Sequence, residues 1–107
     1  MIYLAGPYTH KDEAVRVARF EALTKKAAEL MIDGHVVFSP ITHGHAIAER
    51  HDLPLEFDWW QHQCLKMLEN AKRLIVVRID GYAESVGVQA EIAYAEANNI
   101  PVGFVNP

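Results

Sequence analysis

The chain alternates short apolar runs with longer segments of helical periodicity. Four runs are rich in β-forming residues and end at Gly, Pro or polar positions, and they lie at 2–5, 35–38, 74–79 and 102–105. Each predicts a strand. The third run is apolar apart from Arg78, which is typical of a central strand covered on both faces.

The segments between these runs predict helices. Apolar residues recur at three- and four-residue spacing over about 11–32 and 55–71, and Ser85 can cap a third helix that runs to about Asn99. The stretch from Ser39 to about Pro54 has no clear periodicity, so we expect a long loop there. Loops of that length often carry function.

The order strand-helix-strand-helix-strand-helix-strand predicts one α/β domain over residues 1–107. We expect a three-layer, flavodoxin- or Rossmann-like arrangement, with a parallel sheet of about four strands and helices on both faces. Ligands bind such sheets beyond the carboxyl ends of the strands. The expected site therefore lies among the segments 6–9, 39–54 and 80–85.

Glu91, on the last predicted helix, is the best candidate for chemistry. At about 100° per residue, Ala95 lies close to Val88 in angle and Glu91 lies on the shoulder of the same buried stripe. The helix N-terminus favours anions, and Ser85 and Gly87 add a hydroxyl and a backbone without a side chain, so a phosphate fits there. The alternative is that Glu91 extends to water and that Ser85 is only a helix cap.

Two segments resemble the nucleoside 2-deoxyribosyltransferase-like superfamily, which includes transferases that exchange bases on deoxynucleosides and hydrolases that cleave deoxynucleoside 5′-monophosphates. Residues 2–8, IYLAGPY, are similar to the family's first strand and base-binding loop, and residues 85–95, SVGVQAEIAYA, are similar to its catalytic helix. The resemblance covers essentially the whole chain. It implies cleavage or transfer at the N-glycosidic bond of a nucleoside or nucleoside 5′-monophosphate, with no cofactor.

The resemblance also implies individual roles. Glu91 is the expected nucleophile, which forms a glycosyl-enzyme ester as in a retaining glycosidase. Tyr3 is expected to orient the Glu91 carboxylate. Gly6, Pro7 and Tyr8 are expected to contact the base and the sugar.

Ser85 and Gly87 match the residues that contact phosphate in the nucleotide hydrolases. The transferases usually carry Asp where Ser85 stands, and an aspartate would repel a phosphate dianion. The resemblance therefore favours a nucleoside monophosphate as the substrate. Asp80, in the loop before this helix, is also expected to contact substrate.

The expected acid/base residue departs from the family pattern. The family usually has Asp on the helix before the third strand, and Cys64 occupies the matching position. A thiol with an ordinary pKa does not replace a carboxylate that passes a proton to the leaving base. Asp58, on the same helix but roughly 240° around its axis, is the candidate substitute, with Asp80 and Glu84 as alternatives. The competing hypothesis is a nucleotide-binding or sensing module without catalysis.

The histidines at 43, 45 and 51 allow two interpretations. A His-x-His pair can present two imidazoles to a metal ion, but no Cys cluster or HExxH helix accompanies it. We therefore expect no metal and place these histidines at the mouth of the site or on the surface. His43, which follows a strand end closely, is the expected substrate contact.

Composition and charge exclude some classes of partner. The formal charge is −4 and no Lys/Arg block is present, so we expect no polynucleotide partner. No apolar stretch is long enough for a bilayer and no signal-peptide pattern is present, which predicts a cytoplasmic protein without membrane contact. The single cysteine allows no intrachain disulfide and suits a reducing compartment.

The short chain also predicts a homo-oligomer, because a small domain leaves much apolar surface uncovered. Trp60 shares the stripe of Cys64 and is expected in the core, whereas Trp59 is free to stack on a base or to form a subunit contact. Asn106 is a candidate to enter the site of a neighbouring copy.

Overall fold

The fold is α/β, as predicted. The computed structural model describes all residues, 1–107, and contains four strands and four helices. The strands are β1 (Ile2–Ala5), β2 (Val37–Phe38), β3 (Arg73–Val77) and β4 (Val102–Val105). The helices are α1 (Glu13–Ile32), α2 (Pro40–His51), α3 (Phe57–Glu69) and α4 (Val86–Ala97).

All four strands are parallel, in the order β2-β1-β3-β4. The chain passes from β1 to β2 at one edge and then crosses to β3 on the other side of β1. This reversal opens a crevice at the carboxyl ends of β1 and β3, because the connections that leave these two strands diverge.

Two apolar clusters hold the three layers together. The cluster between the sheet and the helices α3 and α4 contains Tyr3, Ala5, Cys64, Leu68, Leu74, Val76, Val88 and Ala95. The cluster between the opposite face and α1 contains Ile2, Leu4, Leu23, Ala27, Ile75 and Val77. Successive residues of a strand point to opposite faces, so Tyr3 lies on the side of the sheet that α4 covers.

The prediction of a long loop after β2 was wrong, since α2 occupies most of that segment. The Ser39 Oγ caps this helix by accepting a hydrogen bond from the Thr42 N–H at 3.3 Å, and Pro40 stands at its first position. Its buried residues are Gly44 and Ala48. These residues are so small that they leave little hydrophobic periodicity in the sequence.

Helix α2 spans from α1 towards α3. The Thr42 Oγ1 hydrogen-bonds the Thr24 Oγ1 of α1 at 2.8 Å. On another side of α2, a Cβ added at Gly44 would lie 3.4 Å from the Trp60 indole of α3. Close approach at this glycine makes α2 a wall beside the end of β1.

The other predicted elements are present with small shifts at their ends. Helix α1 begins at Glu13 after the N-cap Asp12, and β3 extends from Arg73 to Val77 rather than to Ile79. None of the helices is both long and apolar enough to cross a membrane.

Candidate functional site

A cavity of about 380 Å³ opens at the carboxyl ends of β1 and β3. This volume lies in the range of small-molecule sites, about 300–1,000 Å³. The β1–α1 loop, one face of α2, the start of α3 and the start of α4 form its walls. The lining residues are Gly6, Tyr8, Thr9, Pro40, Ile41, Gly44, His45, Ala48, Leu55, Glu56, Phe57, Asp58, Trp60, Cys64, Glu84, Ser85, Val86, Gly87 and Glu91.

Glu91 is the most deeply buried carboxylate of this cavity. Its residue surface is 4% exposed, and the neighbouring Tyr3 is fully buried. The Tyr3 hydroxyl donates a hydrogen bond to the Glu91 Oε2. The alternative that Glu91 extends to water is therefore wrong, and the pairing with Tyr3 is the one that the resemblance implies.

Burial raises the pKa of Glu91 from 4.5 to about 8, although the hydrogen bond from Tyr3 lowers it. The cavity lining contains no Lys or Arg that would offset the cost of a buried negative charge. Burial, followed by the charge of Glu91, raises the pKa of Tyr3 far above its ordinary value. Tyr3 therefore stays protonated and acts as a donor.

Cys64 lies beside this pair, on α3. Burial and the negative charge of Glu91 raise the pKa of its thiol to about 11, while a hydrogen bond with Tyr3 lowers it. The thiol is therefore neutral at physiological pH. Cys64 is a buried core side chain, as the stripe predicted.

The start of α4 presents hydrogen-bond donors to the cavity. The Ser85 Oγ accepts a hydrogen bond from the Val88 N–H at 3.2 Å, which confirms its predicted N-cap role and leaves its own O–H free to donate. The N–H groups of Val86 and Gly87 have no intramolecular partner. Together these three groups can hold an anion or a sugar hydroxyl.

Gly87 also serves packing. A Cβ at this position would lie 2.9 Å from the Phe57 Cδ1. The glycine thus lets α4 approach α3, and the Phe57 ring completes the cavity wall between them.

Three exposed carboxylates stand at the rim. Asp58 lines the cavity as expected for a site residue, together with Glu56 and Glu84. Asp80 does not line it. The Asp80 carbonyl oxygen instead accepts a hydrogen bond from the Arg19 Nη2 at 3.1 Å, outside the cavity.

The β1–α1 loop forms the wall nearest to the sheet. A Cβ at Gly6 would lie 2.6 Å from the Leu23 Cδ2, so this glycine lets the loop pack on α1. Tyr8 lines the cavity, whereas Pro7 is buried outside the lining. The Arg19 Nη1 donates to the carbonyl oxygens of Tyr8 and Thr9, at 3.5 and 3.0 Å.

The structure separates the three histidines of α2. His43 is exposed and packs against Phe38, with ring centroids 5.5 Å apart, and it does not line the cavity. His45 lines the cavity, its Nδ1 hydrogen-bonds the Tyr8 hydroxyl at 2.6 Å, and its Nε2 lies 3.0 Å from the Glu49 Oε2. No group of three or more His, Cys, Asp or Glu side chains is arranged to hold a metal ion.

The sequence placed His45 at the mouth of the site or on the surface but favoured His43 as the substrate contact, because the segment predicted a loop rather than a helix. On a helix, positions 41, 44, 45 and 48 share one face, and all four line the cavity. The Ser-Pro pair at 39–40, a helix-start signal, would have revealed this face.

The two tryptophans have different environments. Trp60 packs against the core cluster, lines the cavity and donates from its Nε1 to the Pro54 carbonyl oxygen at 2.7 Å. Trp59 is 53% exposed and lies outside the lining. Asn106 accepts hydrogen bonds from Arg78 of its own chain, at 3.1 and 3.0 Å.

One known protein family matches almost the entire chain. No curated protein matches the sequence. The family described as "Domain of unknown function (DUF1937)" matches residues 1–106. The chain therefore belongs to the DUF1937 family.

Proposed function

We propose that the cavity binds a nucleoside or nucleoside 5′-monophosphate and that the protein cleaves or transfers its N-glycosidic bond. The main support for this proposal is the buried Glu91 carboxyl, which accepts a hydrogen bond from Tyr3 and lines a cavity of ligand size beyond the strand ends. The similarity of residues 2–8 and 85–95 to the nucleoside 2-deoxyribosyltransferase-like superfamily supports the same reaction.

The proposed chemistry is nucleophilic substitution at the anomeric carbon. One Glu91 oxygen attacks this carbon while the base leaves with the electron pair of the glycosidic bond, which gives a glycosyl-enzyme ester. Water or a second base then displaces Glu91. Tyr3 bonds one carboxylate oxygen and so orients the other towards the sugar.

Glu91 must be ionised to attack, and its raised pKa makes ionisation unfavourable in the empty cavity. The positive charge that develops on the sugar ring in the transition state favours the carboxylate. Ester formation then removes the buried charge. The desolvation that raises the pKa thus also makes Glu91 a reactive nucleophile once it is ionised.

The remaining cavity residues suit the other parts of such a substrate. Phe57 and Trp60 offer aromatic surfaces for a base. Ser85, with the free N–H groups that follow it, is placed to hold a 5′-phosphate or a sugar hydroxyl. Asp58, the carboxylate that the sequence nominates for proton transfer, is exposed at the rim of the same cavity.

A nucleotide-binding or sensing module is the second candidate. It is favoured by Cys64, whose neutral thiol stands next to Glu91 where the superfamily usually has its acid/base Asp. Such a module would keep the donors at the start of α4 and the aromatic wall, and it would release its ligand unchanged.

The test is incubation with a panel of nucleosides and 5′-monophosphates, followed by chromatography for free base. Release by the wild type, abolished in Glu91→Gln, supports catalysis. Glu96→Gln is the matched control, because Glu96 is an exposed glutamate on the same helix. Unaltered substrates across the panel, or full activity in Glu91→Gln, would contradict the reaction.

Calorimetric titration with the same panel separates the two candidates. Binding of a nucleotide without release of base would select the sensing module. Binding and turnover of the same ligand would select the enzyme.

We also propose that the protein acts in the cytoplasm as a homo-oligomer. The exposed apolar side chains include Ile32, Val36, Trp59, Val86 and Phe104, and a partner copy would cover part of this surface. Sedimentation equilibrium measures the oligomeric state, and fractionation of the native host locates the protein. A monomer at micromolar concentration would contradict the first proposal.

A further inference from the structure

Three side chains in mutual contact connect solvent to the cavity, and they belong to the β1–α1 loop and to α2. The Tyr8 hydroxyl lies 2.6 Å from the His45 Nδ1, and the His45 Nε2 lies 3.0 Å from the Glu49 Oε2. Tyr8 and His45 line the cavity, whereas the Glu49 side chain is 68% exposed. Tyr8, His45 and Glu49 therefore link the cavity to a carboxylate in contact with water.

The local structure fixes this arrangement. His45 and Glu49 are four residues apart on α2, so they share one face of the helix. The edge of the Phe20 ring of α1 packs against the imidazole, with centroids 4.2 Å apart. Tyr8 lies in the β1–α1 loop, three residues after the end of β1. Three elements of the fold thus hold the imidazole with one nitrogen towards Tyr8 and the other towards Glu49.

We propose that Tyr8 and His45 form the proton-transfer pair for the base, with Glu49 as the positioning residue of the imidazole. This proposal rests on the proposed N-glycosidic reaction. It assigns to Tyr8 of the β1–α1 loop, together with His45 of α2, the task that the superfamily gives to an Asp at the position of Cys64.

In the first step, a proton moves from His45 through Tyr8 to the leaving base. In the imidazolium, the positive ring lies against the Glu49 carboxylate, with Nε2 3.0 Å from Oε2, and Nδ1–H donates to the Tyr8 oxygen, which turns the Tyr8 O–H towards the cavity. As the glycosidic bond breaks, Tyr8 gives its proton to the base nitrogen and takes the Nδ1 proton of His45. The base leaves neutral, Glu91 holds the sugar, and His45 becomes neutral.

The second step reverses the proton flow. Water attacks the anomeric carbon, and the carbon–oxygen bond to Glu91 breaks with its electron pair returning to the carboxylate. Tyr8 takes one proton of the water and passes its own to the neutral His45 Nδ1. The imidazolium is thereby restored for the next turnover.

Tyr8 can protonate the leaving base only if the His45 imidazole supplies a proton to it. Burial raises its pKa, and Arg16 opposes this effect. A free tyrosinate is therefore unfavourable at this place. Proton transfer through Tyr8 has to be concerted with return of a proton from His45.

The test measures how the rate depends on the leaving base. Deoxynucleosides whose bases differ in acidity are assayed, and the series ends at an N7-methylated purine. That base already carries a positive charge, so it departs neutral without receiving a proton. Rates are compared for the wild type, Tyr8→Phe, His45→Gln and Glu49→Gln, with substrate affinity measured in parallel.

In Tyr8→Phe and His45→Gln we expect a loss of about 10²–10⁴-fold with the least acidic bases and little loss with the N7-methylated purine. Glu49→Gln should show the same trend with smaller losses. His62→Ala, at an exposed histidine of α3, should follow the wild type throughout.

Equal loss for every base, in variants that stay folded by circular dichroism and bind substrate, would overturn the assignment of Tyr8 and His45 alone. No release of any base by the wild type would overturn the proposed reaction as well. Two independent variants keep the test valid if one of them does not fold.

Discussion

The Tyr3 hydroxyl donates a hydrogen bond to the Glu91 carboxyl and joins the first strand to the last helix across 88 sequence positions. It lowers the pKa of a carboxyl that burial raises to about 8. The two effects oppose each other, and burial is the larger. This balance makes Glu91 a group whose protonation is sensitive to single substitutions around it.

Tyr3→Phe should raise the pKa of Glu91 above its wild-type value of about 8, because it removes the donor that stabilises the carboxylate. Carbon-13 NMR of glutamate side-chain carboxyls measures this pKa without substrate. Glu96→Gln and Glu91→Gln assign the resonances. An unchanged pKa in Tyr3→Phe would show that the hydrogen bond does not act on Glu91.

The raised pKa of Glu91 also predicts how stability depends on pH. In the pH range between 4.5 and about 8 the folded state binds this proton more strongly than the unfolded state. The contribution of this proton to the free energy of unfolding is fully present below pH 4.5 and is lost as the pH rises through about 8. The total is on the order of a few kcal/mol.

Urea unfolding of the wild type and of Glu91→Gln across this range measures the contribution. The free energy of unfolding of the wild type should fall more steeply with pH than that of the variant. Parallel curves would mean that Glu91 titrates equally in the folded and unfolded states.

Cys64 should resist thiol reagents in the native protein. Its thiol is buried and its pKa is raised to about 11, so little thiolate exists at pH 8. We expect reaction with a chromogenic disulfide to be about a hundredfold slower or more than in urea. Similar rates in the native and unfolded states would contradict the buried position.

Arg19→Ala should destabilise the protein by about 0.5–1.5 kcal/mol, because it removes the donor that the carbonyl oxygens of Tyr8, Thr9 and Asp80 share, although water can reach these largely exposed oxygens. It should also weaken ligand binding, since two of these residues line the cavity. Thermal unfolding and calorimetry measure both effects. Lys25→Ala, at an exposed position of the same helix, should change neither.

Gly87→Ala should cost about 1–3 kcal/mol and weaken ligand binding, because its Cβ would displace the Phe57 ring at 2.9 Å. Phe57→Leu frees space at the same contact. In a double-mutant cycle the two substitutions should therefore be less destabilising together than the sum of their separate effects. Strict additivity would show that Phe57 does not limit the space at Gly87.

The four strands and three of the four helices are predictable from the amino-acid sequence alone. The alternation of β-forming runs and amphipathic segments is dictated locally, since each element buries one face against its neighbours. Ser85 as a helix cap follows from the same local rules. Periodicity placed Glu91 on the shoulder of the buried stripe of α4 and left open whether its carboxyl is buried or reaches water. The pairing of Tyr3 with Glu91 came from a family resemblance and not from periodicity.

The surroundings of Glu91 depend on contacts between elements that are far apart in the sequence. Helix α2 was not predicted because its buried face consists of small residues. Without this helix, the sequence did not show that His45, rather than His43, lines the cavity. The raised pKa of Glu91 depends on how completely three elements exclude water, which no local pattern records. Spacing along a chain fixes which residues share a face of an element, whereas packing alone fixes what that face meets.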